Sequence, residues 1–440
     1  MALKKSTIIA YYVRYGMKGL IHKVLERRKM SKVYYAYRNN EDSFFGTERH
    51  LKGGAESGLK SKGPKISILM PVFDPNEEAF TDALMSVKKQ TYRNYELCIS
   101  DGGNARFKHC VDAIFGDDKR VKYSASDKPL GISDNSNAAR NLATGEYIAL
   151  FDHDDILESN ALMEMAAKAI NDNYDMIYSD EDKVNSKLTR YYKPYYKPDF
   201  NLPLLLSNNY ICHFTMIKSR LFDMVGGFRS EYDGAQDYDL FLRVAGATNR
   251  IGHIPLILYH WRDSEASTSA NPFNKEYAYK RGLLALKDYF KSKKVKALVT
   301  ELDDPGYYHA RYQGKVSNAY MEYSFIPSVN MTGDEKVALL QDAVMYGADV
   351  VIPRLVRKGK YAYNGVASSG DVKTLSIAGK PAYLRGPFNM AISSLRVCEA
   401  PDDYVLVKNS KIKNFTEGKR SNLKMYYDGQ ITLDISKISK

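Results

Sequence analysis

Asp152, His153, Asp154 and Asp155 follow directly on the apolar run YIALF, residues 147–151. Carboxylates bunched at the end of an apolar stretch read as side chains that a buried strand delivers to its C-terminal end. Open α/β sheets bind ligands there. Hard oxygen donors suit Mg²⁺ or Mn²⁺ and the diphosphate such a cation neutralises. Zinc fits less well, because the cluster has no thiolate and one central histidine. Asp152 and Asp154 are therefore candidate metal ligands, and Asp155 is a candidate cap for the helix that follows.

The surrounding pattern supplies elements to position them. KISILMPVF, residues 65–73, reads as a buried strand, and YELCIS, residues 95–100, as the next. A short strand is expected at 121–124, another at 146–151, and DMIYSD, residues 175–180, as one more. Helices are expected over 77–89, 133–143 and 159–171. Alternation of this kind predicts an α/β fold with a mostly parallel central sheet covered by helices. Asp74, Asp101, Asp152 and Asp180 each fall after a predicted strand.

Residues 65–290 resemble family 2 glycosyltransferases, which share the GT-A fold. The resemblance rests on PVFDP (71–75), SDGG (100–103), DKPLGISDNSNAARNLATGEYIALFDHDD (127–155), GGFRSEYDGAQDYDLFLRVA (226–245) and YHWRDSEAST (259–268). It implies donor contacts from Pro71, Asp74, Asp101, Asn137, Arg140, Asp152 and Arg262, and a Mg²⁺ or Mn²⁺ site at Asp152, Asp154 and His260. SDEDK, residues 179–183, implies acceptor contacts from Asp180 and Asp182, with Trp261 stacking on sugar. Gly131 would relax the loop before the helix at 133–143. Asp237 is the implied general base and Asp239 the runner-up. A base is needed because an acceptor hydroxyl is a poor nucleophile until it loses its proton.

This chain departs from the family at Ser100 and Gln236, where relatives often carry acids. Each residue also has a structural reading. Asp74 and Asp101 can bond their own turns, Arg140 can hold its helix to an acid, and Asp237 can cap a helix. Asp180 and Asp182 can serve a cap or a solvated turn, and Trp261 can fill a domain edge. Ser267 and Thr268 are weaker candidates for phosphate contact from a closing loop.

The implied reaction is inverting transfer from a UDP- or dTDP-sugar, rhamnose among the candidates, to a bacterial surface glycan or lipid-linked acceptor. Nucleotidyl transfer and a non-catalytic glycan-binding or scaffold role are the alternatives.

The chain has 440 residues, 44% of them apolar, enough for two or three domains. Residues 1–64 read as a basic helical arm and linker, 65–295 as the catalytic domain, and 296–440 as a smaller C-terminal α/β module. That module echoes the strand–loop–helix–strand order of 146–180 in residues 322–353, with Ser328-Val329-Asn330-Met331 at its corner. It reads as a reduced duplicate, and as a surface for self-association or a biosynthetic partner. KGKYAYNGVASSG, residues 358–370, resembles a piece of tandem polysaccharide transferases. The proline- and tyrosine-rich stretch at 186–211 reads as an acceptor-facing platform.

The net charge is +12, and residues 1–40 hold ten Lys or Arg against Glu26. Val13, Met17, Ile21, Val24 and Leu25 recur near helical spacing, so the arm can lie on an anionic membrane or pack on protein. No nucleic-acid motif accompanies it. Four scattered cysteines argue against a disulfide framework. No membrane span or signal peptide is recognisable, and a cytoplasmic protein, peripheral at the inner membrane, is expected.

Overall fold

A computed structural model describes residues 63–103, 105–263, 276–326, 333–358, 360–363, 368–369, 372–373, 394–397, 400–401, 405–419 and 423–434. The basic arm, Ser267, Thr268, residues 328–331 and much of 358–370 lie outside the described residues. The chain divides into two units, the first reaching Lys197 and resuming over Ile211–Ala285, the second comprising Pro198–Tyr210 and the chain from Leu286.

The first unit is built on β1 (Ile66–Val72), β2 (Tyr95–Asp101), β3 (Val121–Ala125), β4 (Tyr147–Leu150), β5 (Ile156–Leu157), β6 (Met176–Asn185), β7 (Tyr191–Tyr195), β8 (Thr215–Lys218) and β9 (Ile251–Asp263). Its helices are α1 (Glu77–Lys88), α2 (Lys108–Phe115), α3 (Ile132–Leu142), α4 (Ala161–Asp172), α5 (Ser219–Met224) and α6 (Gln236–Ala247). The strands run in the order β3-β2-β1-β4-β8-β6-β9-β5, with β7 on β6. β3, β2, β1 and β4 are parallel, as the alternation predicts. β8 then runs antiparallel to both β4 and β6, so the sheet is mixed.

Every residue of β1 and β2 is buried. Strands covered on both faces read as continuous apolar runs, which is why these were legible. Asn76 starts α1 by accepting from the Ala79 amide at 3.0 Å, and Glu77 and Glu78 complement the helix dipole.

One buried acid interrupts β2. Glu96 meets Lys65 at 2.6 Å, Ser67 at 2.6 Å, the Thr144 amide at 2.5 Å and Lys122 at 2.9 Å. Burial works to raise its pKa, and these donors outweigh that, leaving it at about 2. A depressed carboxylate stabilises the fold above its unfolded value near 4.5 and loses that contribution as pH falls towards 2. Glu96→Gln is expected to cost about 2 kcal/mol, because Ser67 and the Thr144 amide lose a charged acceptor while Lys65 and Lys122 stay partly solvated. It should also flatten acid unfolding over that window, as denaturant melts at pH 7 and pH 3 would report.

In the second unit, strands at Tyr323–Ile326, Val405–Lys408, Val350–Arg357, Met425–Asp434 and Ser394–Val397 lie side by side in that order. The helix Gly333–Tyr346 covers them through Leu339, Leu340 and Ala343. Strand 405–408 is antiparallel to both 323–326 and 350–357, while 425–434 is parallel to 350–357. The order and directions repeat β4-β8-β6-β9. The hairpin partner Lys360–Tyr363 stands where β7 stands on β6. The echo at 146–180 and 322–353 thus extends to a shared half-sheet.

Candidate functional site

The acidic turn leaves β4 at its C-terminal end. Asp152 keeps a half-exposed carboxylate, 3.7 Å from Nε2 of His213. Burial raises the Asp154 carboxyl, and the charge of Asp152 adds to that rise. Asp155 is fully buried and does not cap α4. Its oxygens accept from Tyr259 Oη at 2.5 Å and from the Arg262 amide at 2.7 Å. Burial and the neighbouring Asp154 and Asp152 push its pKa well up. Nδ1 of His153 lies 3.0 Å from the Pro71 carbonyl, tying the turn to β1.

Arg262 is a scaffold for this turn. Its guanidinium donates to the Asp154 carbonyl at 2.8 Å, the Ser186 carbonyl at 2.6 Å and Asp82 at 2.8 Å. With its donor fork spent on protein, it does not present itself to a diphosphate as expected. It fixes the backbone that presents Asp154.

His260 also departs from expectation. Its Nδ1 is 2.6 Å from Asp182 and its Nε2 3.0 Å from Glu158. Burial would lower its pKa, but the two carboxylates raise it to about 9. Both ring nitrogens are taken up by these carboxylates, so the fold does not present His260 to a cation. His260→Gln is expected to leave Mn²⁺ affinity unchanged within twofold while lowering the melting temperature, checked by calorimetry and thermal unfolding.

Asp182, held by His260, and Asp180 are not offered to an acceptor. Asp180 is 1% exposed and accepts from the Lys197 amide and from His253 Nε2, both at 2.8 Å. It lies inside β6 rather than beyond it, because the strand continues to Asn185.

Three donor candidates are likewise taken up by the fold. Asp101 is buried and accepts from the Gly103 amide at 2.7 Å and Tyr123 Oη at 2.5 Å. Asn137 donates to and accepts from the backbone of Phe228 at 2.9 and 3.0 Å. It thereby pins the turn in which Gly226 and Gly227 take φ +88° and +62°, values that glycine adopts without strain. Arg140 pairs with Asp223 at 2.6 Å. Asp74, by contrast, remains exposed beyond β1, beside Arg106 at 2.9 Å.

Asp237 stands half-buried in the first turn of α6, its Oδ1 accepting from the Tyr238 amide at 2.7 Å. Asp239 is buried against Arg229 and Arg243, which excludes it as the base. Gln236 turns back to accept from the Gly234 amide at 2.8 Å, so the residue replacing the family's acid shapes the loop. Asp233 in that loop accepts from Ser133 Oγ at 2.5 Å and caps α3. A side chain at Gly131 would meet Asp233 at 2.8 Å, so the glycine admits this cap.

The sequence did not point to His213, Glu181, Lys197 or Tyr259. His213 stacks on Tyr259 with ring centroids 4.6 Å apart and lies 3.4 Å from Glu181. Lys197 is fully buried against Glu181 at 3.1 Å and the carbonyls of Ile211 and His213. Burial works against charging His213, yet Glu181 and Asp152 raise it to about 9. The only signal was the polar pair Cys212-His213 inside an apolar stretch.

Asp152 and Asp154 supply hard carboxylate oxygens two residues apart on the turn after β4. That donor chemistry fits Mg²⁺ or Mn²⁺. Among the described residues, the three-ligand group whose donor atoms lie within 4.8 Å of one another is Glu77, His109 and Cys110. Asp152, Asp154 and His260 do not form such a group. The thiol and imidazole of the former suit a softer ion than Mg²⁺.

Residues 67–226 match the pattern described as Glycosyl transferase family 2. The chain is 35% identical over 254 residues to the uncharacterised protein y4gI of Sinorhizobium fredii, covering 56% of this chain and 28% of that one. It is 30% identical over 255 residues to the O-antigen biosynthesis protein RfbC of Myxococcus xanthus, covering 57% and 20%. It is 29% identical over 217 residues to the UDP-Glc:alpha-D-GlcNAc-diphosphoundecaprenol beta-1,3-glucosyltransferase WfgD of Escherichia coli, covering 48% and 81%. The chain thus spans less than a third of the first two relatives. Residues 67–226, which run from β1 through β8 to the turn after α5, thus carry the pattern of glycosyl transferase family 2.

Proposed function

We propose that the first unit transfers a sugar from a UDP- or dTDP-sugar to a hydroxyl of a bacterial surface glycan or its lipid-linked precursor, with inversion. The observation that carries this reading is the acidic turn. Asp155, Tyr259 and Arg262 hold it rigidly while Asp152 stays half-exposed and Asp154 follows two residues on, its backbone carbonyl fixed by Arg262. The name of WfgD supports a nucleotide-sugar donor and a diphospholipid acceptor, and that of RfbC supports surface polysaccharide.

Asp152 and Asp154 would hold Mg²⁺ or Mn²⁺, which when bound neutralises the diphosphate leaving group. His213, held against Asp152, adds positive charge at the same edge. Asp237 would take the proton of the acceptor hydroxyl as that oxygen attacks the anomeric carbon. One displacement follows, with no sugar bound covalently to protein. The basic arm would keep the enzyme at an anionic membrane face. No helix among the described residues is long and apolar enough to cross a membrane.

The test is a screen of purified protein with Mn²⁺ or Mg²⁺ and UDP- or dTDP-sugars, with and without membrane lipid extract, products followed by mass spectrometry. A metal-dependent glycosylated lipid supports the reading. Folded protein that neither binds nucleotide nor turns over any donor would overturn it in favour of a scaffold role.

A further inference from the structure

The first unit encloses three lysines of differing fate. Lys197 is fully buried and meets Glu181 and two carbonyls. Lys218 is 7% exposed and meets Asn173 at 2.7 Å and Asp175 at 3.2 Å. Lys183 is half-buried, and among the described residues it has no carboxylate at ion-pair distance. Its ammonium instead sits 3.9 Å above the ring of Trp261. The two residues are register partners on the parallel strands β6 and β9, which puts their side chains on one face.

A desolvated ammonium without an anion is costly, and a ring face offsets only part of that cost. Burial and the nearby charge of Lys193 lower its pKa to about 8, against the more distant pull of Asp263, Glu181 and Asp155. The cation remains mostly charged at neutral pH and lacks an oxyanion.

Its surroundings are those of the transfer site. The Trp261 ring lies 5.9 Å from the His213 ring, and His213 is the residue held 3.7 Å from Asp152.

We propose that Lys183, seated on the Trp261 ring, binds an oxyanion of the reactants, a phosphate or carboxylate group, at the edge of the transfer site. The oxyanion comes either from the donor diphosphate or from an anionic group on the acceptor. Its placement at this site rests on the transferase reading; the binding chemistry rests on Lys183 and Trp261 alone. An acid-bearing or phosphate-bearing acceptor is then a better substrate than its neutral counterpart if the second source holds.

Trp261 is the only tryptophan in the chain, so its emission reports this site without a label. Inorganic phosphate is titrated into the full chain at ionic strength held constant with KCl, and again after saturation with UDP and Mg²⁺. The wild type should show a saturable change in emission. Lys183→Met should weaken it at least tenfold, while Lys183→Arg, which keeps the charge, should retain it. A phosphate response that persists with UDP bound assigns the acceptor group, and one that UDP itself produces and blocks assigns the donor diphosphate. A flat wild-type titration, or an equal response in Lys183→Met, would overturn the proposal. If calorimetry finds UDP binding while phosphate leaves Trp261 silent, this site fails and the transferase reading stands. A saturable phosphate response without any UDP binding has the opposite meaning.

Discussion

Asp237→Asn is expected to fold and to bind the metal–nucleotide complex as tightly as the wild type, yet to transfer sugar about 10³-fold more slowly. Asparagine keeps the shape of aspartate and its carbonyl oxygen, so the Tyr238 amide at 2.7 Å retains an acceptor. What it loses is the ability to take a proton. The effect should therefore fall on kcat, with the donor KM unchanged. Helix capping predicts a different result, a lower melting temperature with activity reduced only in proportion to unfolded protein. The acids around it sharpen the test. Asp239 is locked between Arg229 and Arg243 and cannot substitute. Gln236 is turned onto the Gly234 amide and carries no charge. Stopped-time transfer assays with saturating donor, alongside thermal unfolding, separate the two roles, and wild-type turnover in the variant would exclude Asp237 as the base.

Asp154→Asn should remove metal-dependent donor binding. The carboxyl is raised in pKa by burial and by Asp152, so the apo protein should tolerate its neutral replacement or gain slightly in stability. Donor binding in the presence of Mn²⁺ should weaken by about 100-fold, since a cation held by two carboxylates loses half of its protein charge. Nucleotide binding without metal should change little. Calorimetry of UDP with Mn²⁺ and with a chelator gives both values. Equal affinity in variant and wild type would remove Asp154 from the ligand set, and would turn attention to Glu77, His109 and Cys110, the other metal-competent group.

The first half of the sheet was legible because its strands are covered on both faces. Apolar runs mark β1 and β4, and β2 keeps one in spite of Glu96; the acidic turn after β4 is where the pattern placed it. β8 was not legible. Its four residues, TMIK, are too few to show a period, and its place between β4 and β6 depends on pairing with chain more than thirty residues away. The candidate site shows the same limit at the level of side chains. Asp101, Asp180 and Asp182 have the residue type that binding needs, but folding brings Tyr123, His253 and His260 to them first. Sequence order does not say which carboxylate finds an internal donor. It equally hides Lys197 and His213, isolated polar residues in an aromatic and apolar stretch, whose partner Glu181 is displaced by bulges in β6.

The cap that Asp233 gives to α3 bears on the order of assembly. Gly131 has no side chain with which to cap the helix locally, and the oxygen that does so lies 100 residues beyond Ser133, whose amide and hydroxyl it accepts. A ribosome that has released residues 63–150 has already made β1 to β4, yet α3 still lacks its N-terminal cap and β4 still has an open edge until β8 emerges. Contacts of such separation close late and slowly. The same closure brings the loop before α6 onto α3, so the candidate base is set in place in the step that finishes the nucleotide-facing half. Nascent chains ending before Asp233 should therefore expose α3 to proteolysis, and those reaching Ala247 should protect it.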